Sequence, residues 1–249
     1  MWDLKEYIEF NRGNIPLIIS VPHGGTLNCA FIPKRLRGIF GIDKSTIEFA
    51  KDLVSKFALL NSKSPSYIIS KIHRSKIDLN RNKNEAYNQN SLIAREVYTF
   101  YHYKIRDLIL DNLRTFNYSL LIDIHGFEAN NRPSGFRDVD IVLGTNNLES
   151  FFPYPIPRKD WDKNLRGDII RKFIMLNIPI APGHPKRKEY ILTGGYITLQ
   201  YGASKINNSQ SMQIEFSDRI RVIDEDLRAI VLENLAKVLL ENIMKNKVI

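Results

Sequence analysis

The run Tyr118-Ser-Leu-Leu-Ile-Asp-Ile-His125 limits the folds open to this chain more than any other stretch, because it is short and apolar almost to its end. Such a run reads as a strand buried within a sheet, and a buried strand needs cover on both faces. Alternation along it puts Asp123 and His125 on the same side. Residues 15–21, 67–72, 139–143 and 212–216 read as further strands, and the last of them places Gln213 and Glu215 on one face. Between these runs, residues 45–60, 92–116, 161–176 and 224–244 carry apolar side chains at helical spacing, with Asp43 placed to cap the first. Strands alternating with helices predict an α/β fold of three layers around a mostly parallel sheet. With 249 residues, 43% of them hydrophobic, one domain over residues 1–249 can bury a continuous core. Residues 130–158 and 179–202 are expected to form loops over a site.

Charge decides less. The formal net charge of +9 would suit nucleic acid or a membrane surface, but the Lys and Arg residues are scattered, with no block of five or six. The excess is read as steering for an anionic substrate, and nucleic acid as an unfavoured partner. A single cysteine, Cys29, excludes an internal disulfide and a cysteine-built metal site, and fits a reducing compartment. The opening Met-Trp-Asp-Leu-Lys-Glu lacks a basic-then-apolar leader, and no run approaches the roughly 20 apolar residues of a membrane span. A soluble, cytoplasmic protein is expected.

In open α/β sheets, ligands collect beyond the carboxyl ends of the strands. His23 follows the first run within Pro22-His23-Gly24-Gly25, and Asp78-Leu-Asn-Arg81 follows the second. Asp123-Ile-His125-Gly126 ends the third, and Glu215 lies near the end of the last. His23 and His125 each stand beside glycine, where a tight backbone lets a ligand approach; His73, His102 and His184 lack that setting. Imidazole and carboxylate donors suit zinc, which in catalytic sites keeps three protein ligands and a water. Asp43 and Glu48 compete for the third place, and each has an ordinary alternative, as a helix cap and as a solvated side chain. Glu215, flanked by apolar residues, is the candidate general base for a metal-activated water, its alternative being an ion pair with Arg219 or Arg221. Asn80 and Arg81 offer an amide and a planar fork to a substrate carboxylate, and Arg74 offers a donor to a developing oxyanion. Gly194-Gly195-Tyr196-Ile-Thr198, followed by Tyr201-Gly202, reads as a glycine hinge that closes over a bound group.

Taken together and in order, from about Ile15 to Arg221, these motifs resemble the N-formylglutamate amidohydrolase family. The resemblance implies the fold of the zinc carboxypeptidases and aspartoacylases, a three-layer α/β/α sandwich around a mixed sheet. It implies one zinc ion per chain held by His23, Asp43 and His125, with Glu215 as general base and Arg74 as oxyanion stabiliser. Asn80, Arg81, Gly195, Tyr196 and Thr198 would surround the substrate. Asp43 enters this set because it matches an acidic position before the helix, while Thr26 stands where related carboxypeptidases carry a glutamate. Leu199 occupies a position that is often basic in N-formylglutamate deformylases, which leaves the acyl group and the amino acid open. Tyr101-His102 resembles a Tyr-His pair on the family's long helix, near the site. The expected activity is hydrolysis of an N-acyl amino acid or a similar small, anionic, carboxylate-bearing amide. A zinc carboxypeptidase acting on peptide C-termini and a basic nucleic-acid-binding protein are the alternatives.

Overall fold

Every long apolar run of the sequence becomes a strand, and every helically spaced segment a helix, in this computed structural model, which describes residues 2–131, 138–190 and 192–246. Along the chain come β1 (Ile8–Asn11), β2 (Leu17–Val21), α1 (Thr46–Asn61), β3 (Ser66–Ser70), α2 (Lys83–Ala86), α3 (Leu92–Phe116) and β4 (Ser119–Phe127). They are followed by β5 (Ile141–Gly144), α4 (Leu165–Met175), β6 (Ile180–Ala181), α5 (Tyr196–Tyr201), β7 (Ser209–Ser217) and α6 (Glu225–Asn246). The strands stand in the order β1-β3-β2-β4-β7-β5-β6. The pairs β1–β3 and β5–β7 are antiparallel and the other pairs parallel, so the sheet is mixed and mostly parallel.

Alternation sorts the strand side chains into two layers of core. Ile19, Ile122, Ile214 and Phe216 face one way and pack with Phe49 and Leu53 of α1, Phe173 of α4 and Leu235 of α6. Ile18, Ile68 and Leu121 face the other way and pack with Val97, Tyr101 and Ile105 of α3 and Ile197 of α5. The result is the expected three-layer α/β/α sandwich. Each fully buried aliphatic or aromatic side chain of this kind stabilises the fold by about 1.5–3 kcal/mol.

On the second face the apolar pattern stops short of the strand ends. Beyond Ile18 comes Ser20, and beyond Leu121 come Asp123 and His125. The register sets Ser20 beside Asp123, Asp123 beside Gln213, and His125 beside Glu215. None of these five is more than 9% exposed. A stripe of buried polar groups is costly unless each finds a partner, so the partners identify what the fold has built there.

Local chemistry explains where sequence and structure part. The helix expected over 161–176 begins only at Leu165, where the Asn164 side chain accepts the Gly167 N–H at 3.2 Å and caps it. Helix α1 begins behind Ser45, held at φ 57°, with no side-chain cap. Asp43 lends only its backbone carbonyl to Thr46, at 2.7 Å from Oγ1, so it is not the expected cap and its carboxylate is free for other use. Strand β1, strand β6 and helix α5 have no counterpart in the sequence reading. At four, two and six residues they are too short for periodicity to register, and α5 lies inside the expected 179–202 loop. Of the two expected loops, residues 132–137 and residue 191 lie outside the described residues. No described helix is long and apolar enough to cross a membrane.

Candidate functional site

His23 leaves the end of β2, His125 stands in the last third of β4, and Asp43 arrives on a loop that Arg35 braces. The buried Arg35 guanidinium donates to the carbonyls of Arg74 and Arg37, each at 3.1 Å, and to that of Ile39. The Asp43 N–H then donates to the His23 carbonyl at 3.0 Å. As a result His23 Nδ1 lies 3.2 Å from His125 Nδ1, and Asp43 Oδ2 lies 3.1 Å from His125 Nδ1 and 3.6 Å from His23 Nδ1. These three side chains form a buried group able to hold a metal ion. Zinc bonds of 2.0–2.1 Å in tetrahedral geometry separate ligand atoms by about 3.3 Å, and the observed triangle fits that spacing.

The far side of each ring supports the same reading. His23 Nε2 lies 2.7 Å from Asp78 Oδ1, and His125 Nε2 lies 2.8 Å from Asp123 Oδ2. An ionised carboxylate only accepts, so each imidazole keeps a proton on Nε2 and turns Nδ1 toward the centre. Two ring nitrogens and a carboxylate oxygen at these distances repel one another unless a proton or a cation lies between them. Burial opposes charging His125, but Asp123, Asp43 and Glu215 outweigh it and hold its pKa well above the ordinary histidine value. Burial likewise would raise Asp43, yet its hydrogen bonds with His125 and His23 keep it well below the usual carboxylate range. Glu48, the other candidate ligand, is exposed on α1 and does not reach this centre.

Glu215 borders the centre on β7. Its Oε1 accepts from Gln213 Nε2 at 2.7 Å, and burial pushes its carboxyl up, with His125 opposing and Asp43 assisting. Arg219 turns to Asp140 at 3.3 Å and Asp224 at 3.7 Å, while Arg221 donates to the carbonyls of Phe216 and Phe127, both at 3.0 Å. Neither makes the ion pair with Glu215 that the sequence left open. A cleft of about 710 Å³, within the range of small-molecule sites, opens over the centre and is lined among others by Arg74, Arg81, Tyr196, Leu199 and Glu215.

The remaining expected residues are placed unequally. Arg74 is fixed by Asp78 at 3.1 Å and Asp43 at 3.3 Å, and Arg81 is half exposed with its Nε 3.9 Å from Asp78. Asn80 lies in the cleft wall with its amide committed to protein, Oδ1 accepting from the Ile197 N–H at 2.8 Å and Nδ2 donating to Gln213 Oε1 at 3.3 Å. Gly195 N–H donates to the same Gln213 oxygen at 2.7 Å. Tyr196 lines the cleft with its ring edge-on to His102, 5.5 Å away. Thr198 is fully buried and lies outside the cleft lining. Burial pushes His102 down to about 4, with its Nδ1 2.9 Å from the Tyr201 hydroxyl. His73 and His184 each accept a backbone N–H two residues on, at 3.1 Å, and serve their own turns.

The glycines beside the histidines are also required by packing. A Cβ on Gly24 would stand 2.5 Å from Thr46 Oγ1, one on Gly25 2.3 Å from the Lys71 carbonyl carbon, and one on Gly126 2.3 Å from Arg221 Cζ. Of the three, Gly126 lines the cleft. The sequence reading also missed Arg35 and gave Ser20 and Asp123 no role. The signal was present for the last two, since each is a polar residue at an inward position of an apolar strand.

No family profile and no curated protein sequence matches the chain. Among solved structures, it is similar to N-formylglutamate amidohydrolase from Ralstonia eutropha, at 15% identity and a TM-score of 0.66, covering 96% of this chain and 98% of that one. It is also similar to a gene product from Agrobacterium tumefaciens, at 14% identity and a TM-score of 0.59, covering 96% and 94% of the two chains. At such identities the shared property is the fold, over nearly the whole length.

Proposed function

We propose that this protein is a zinc-dependent amidohydrolase that cleaves a small anionic amide bearing a carboxylate, such as an N-acyl amino acid. The observation that carries the proposal is the triangle of His23 Nδ1, His125 Nδ1 and Asp43 Oδ2, with edges of 3.1–3.6 Å, beside the buried carboxyl of Glu215. Two imidazole nitrogens and one carboxylate oxygen suit zinc and leave a fourth position open. A zinc ion held there would supply Lewis acidity and lower the pKa of a coordinated water.

The protein's own groups would do the rest. Glu215, through the oxygen that Gln213 does not hold, takes a proton from the attacking water and returns it to the leaving nitrogen. Arg74, fixed by Asp78 and Asp43, faces the developing oxyanion, and Arg81 binds the substrate carboxylate as a planar fork. Asn80 and Gln213 hold Gly195 and the start of α5, so Tyr196 stands as a wall of the cleft. Four carboxylates at the centre, on Asp43, Asp78, Asp123 and Glu215, face four guanidiniums, on Arg35, Arg74, Arg81 and Arg221. A divalent cation would add positive charge to that balance, which favours an anionic substrate. A reducing, cytoplasmic setting fits the single cysteine. The similarity in fold to an N-formylglutamate amidohydrolase supports the reaction class, while Leu199 on the cleft wall leaves the amino acid and acyl group unassigned.

The test is metal analysis of protein purified without added metal, followed by assay of N-acyl amino acids, N-formylglutamate among them, against peptides with free C-termini. One zinc per chain and chelator-sensitive hydrolysis of the N-acyl amino acids are expected. Failure to bind zinc after reconstitution, or a preference for peptides, would refute the proposal.

A further inference from the structure

Behind the metal centre a line of buried hydroxyls runs from α3 through β2 to β4. Tyr101, on α3, places its hydroxyl 2.9 Å from Ser20 Oγ, and Ser20 Oγ lies 2.7 Å from Asp123 Oδ1. The other oxygen of Asp123 holds His125 Nε2 at 2.8 Å. Tyr101, Ser20 and Asp123 are each at most 1% exposed, so no solvent competes for these bonds.

The direction of every bond follows from the groups. The Asp123 carboxylate only accepts, so the single hydroxyl proton of Ser20 must point to it. Tyr101 must then donate to the lone pair of Ser20. With Oδ1 committed to Ser20, the carboxylate plane is fixed and Oδ2 meets the His125 ring at one angle. Without the Ser20 hydroxyl, Asp123 would hold a buried oxygen without a partner and would turn to satisfy it.

We propose that Ser20 and Tyr101 are positioning residues for the metal ligand His125, acting through Asp123. The inference rests on reading His23, Asp43 and His125 as a metal centre. It extends the influence of that centre to helix α3, two hydrogen bonds beyond the carboxylate that touches the ligand. Partners behind a metal ligand typically change affinity by about 10–100-fold, and that range is expected for Ser20→Ala, with a smaller loss for Tyr101→Phe.

The experiment measures zinc affinity of the metal-free full chain by competition with a chromophoric chelator, with circular dichroism and thermal unfolding on the same samples. Ser70→Ala is the control, because Ser70 is a buried serine on the neighbouring β3 whose hydroxyl has no partner. Weakened zinc binding in Ser20→Ala and Tyr101→Phe, with Ser70→Ala at the parental value, supports the proposal. Parental affinity in both folded variants, or an equal loss in Ser70→Ala, overturns it. If Ser20→Ala does not fold, Tyr101→Phe alone decides by the same criterion. A parent chain that binds no zinc brings down the metal centre itself and the positioning role with it, whereas a zinc-binding parent with indifferent variants brings down only the latter.

Discussion

At Glu215 stability and the proposed role as general base pull against each other. Its folded pKa is raised chiefly by burial, above the roughly 4.3 of a free Glu, so its favourable contribution exists below that pH and is lost as pH rises through the folded value. Above its raised folded pKa the ionised carboxylate therefore burdens the fold, as a base poised in a cleft should. Glu215→Gln keeps the shape and removes the charge. Its thermal unfolding at pH 7 should come at the same or a higher temperature, its zinc content should match the parent, and turnover should fall by about 10²–10⁴-fold. Zinc loss in this variant would make the residue a ligand, and parental turnover would remove it from the mechanism.

Among the elements, α5 is held at its start by two side-chain amides. Asn80 binds the Ile197 N–H while Gln213 binds the Gly195 N–H, and a Cβ on Gly195 would lie 2.2 Å from Asn80 Nδ2. Gly195→Ala should push the start of α5 off the sheet and move Tyr196 in the cleft wall. Overpacking of this kind costs about 1–3 kcal/mol, which chemical denaturation would read, and the Michaelis constant for the best substrate should rise. Unchanged stability together with an unchanged Michaelis constant would mean that the wall adapts to the methyl group.

At the scale of the molecule, a metal ion held by the proposed ligands would be coupled to pH through His125. The elevated pKa of that ring means that the metal-free chain gains stability from a bound proton below about 6.5, the unfolded value, and loses it as pH rises through the folded value. Zinc must displace that proton, so affinity should weaken by up to about tenfold for each pH unit below the folded pKa. Calorimetric titration at pH 6 and pH 8 should show clearly tighter binding at pH 8. An affinity that does not change over this interval would contradict Nδ1 of His125 as the donor.

The sequence by itself determined the layers and the rim. Runs such as 118–125 and 212–216 can only be strands covered on both faces, and the polar residues at their ends fall where an α/β sheet binds ligands. It also narrowed the chemistry to His23, His125 and Glu215, because each interrupts or ends an apolar strand. The third ligand was not decided by local pattern, since an acidic residue before a helix caps it as readily as it binds a metal. Tertiary structure brings Asp43 beside His23 and His125, because Arg35 folds the preceding loop onto the sheet and Ser45 begins the helix without a cap. The Asp78–His23 contact, the Asn80 latch and the Ser20–Tyr101 line lay beyond the sequence for the same reason. Each joins residues far apart in the chain, and only the register of the sheet, the loop after β3 and the packing of α3 and α5 bring them within hydrogen-bond distance.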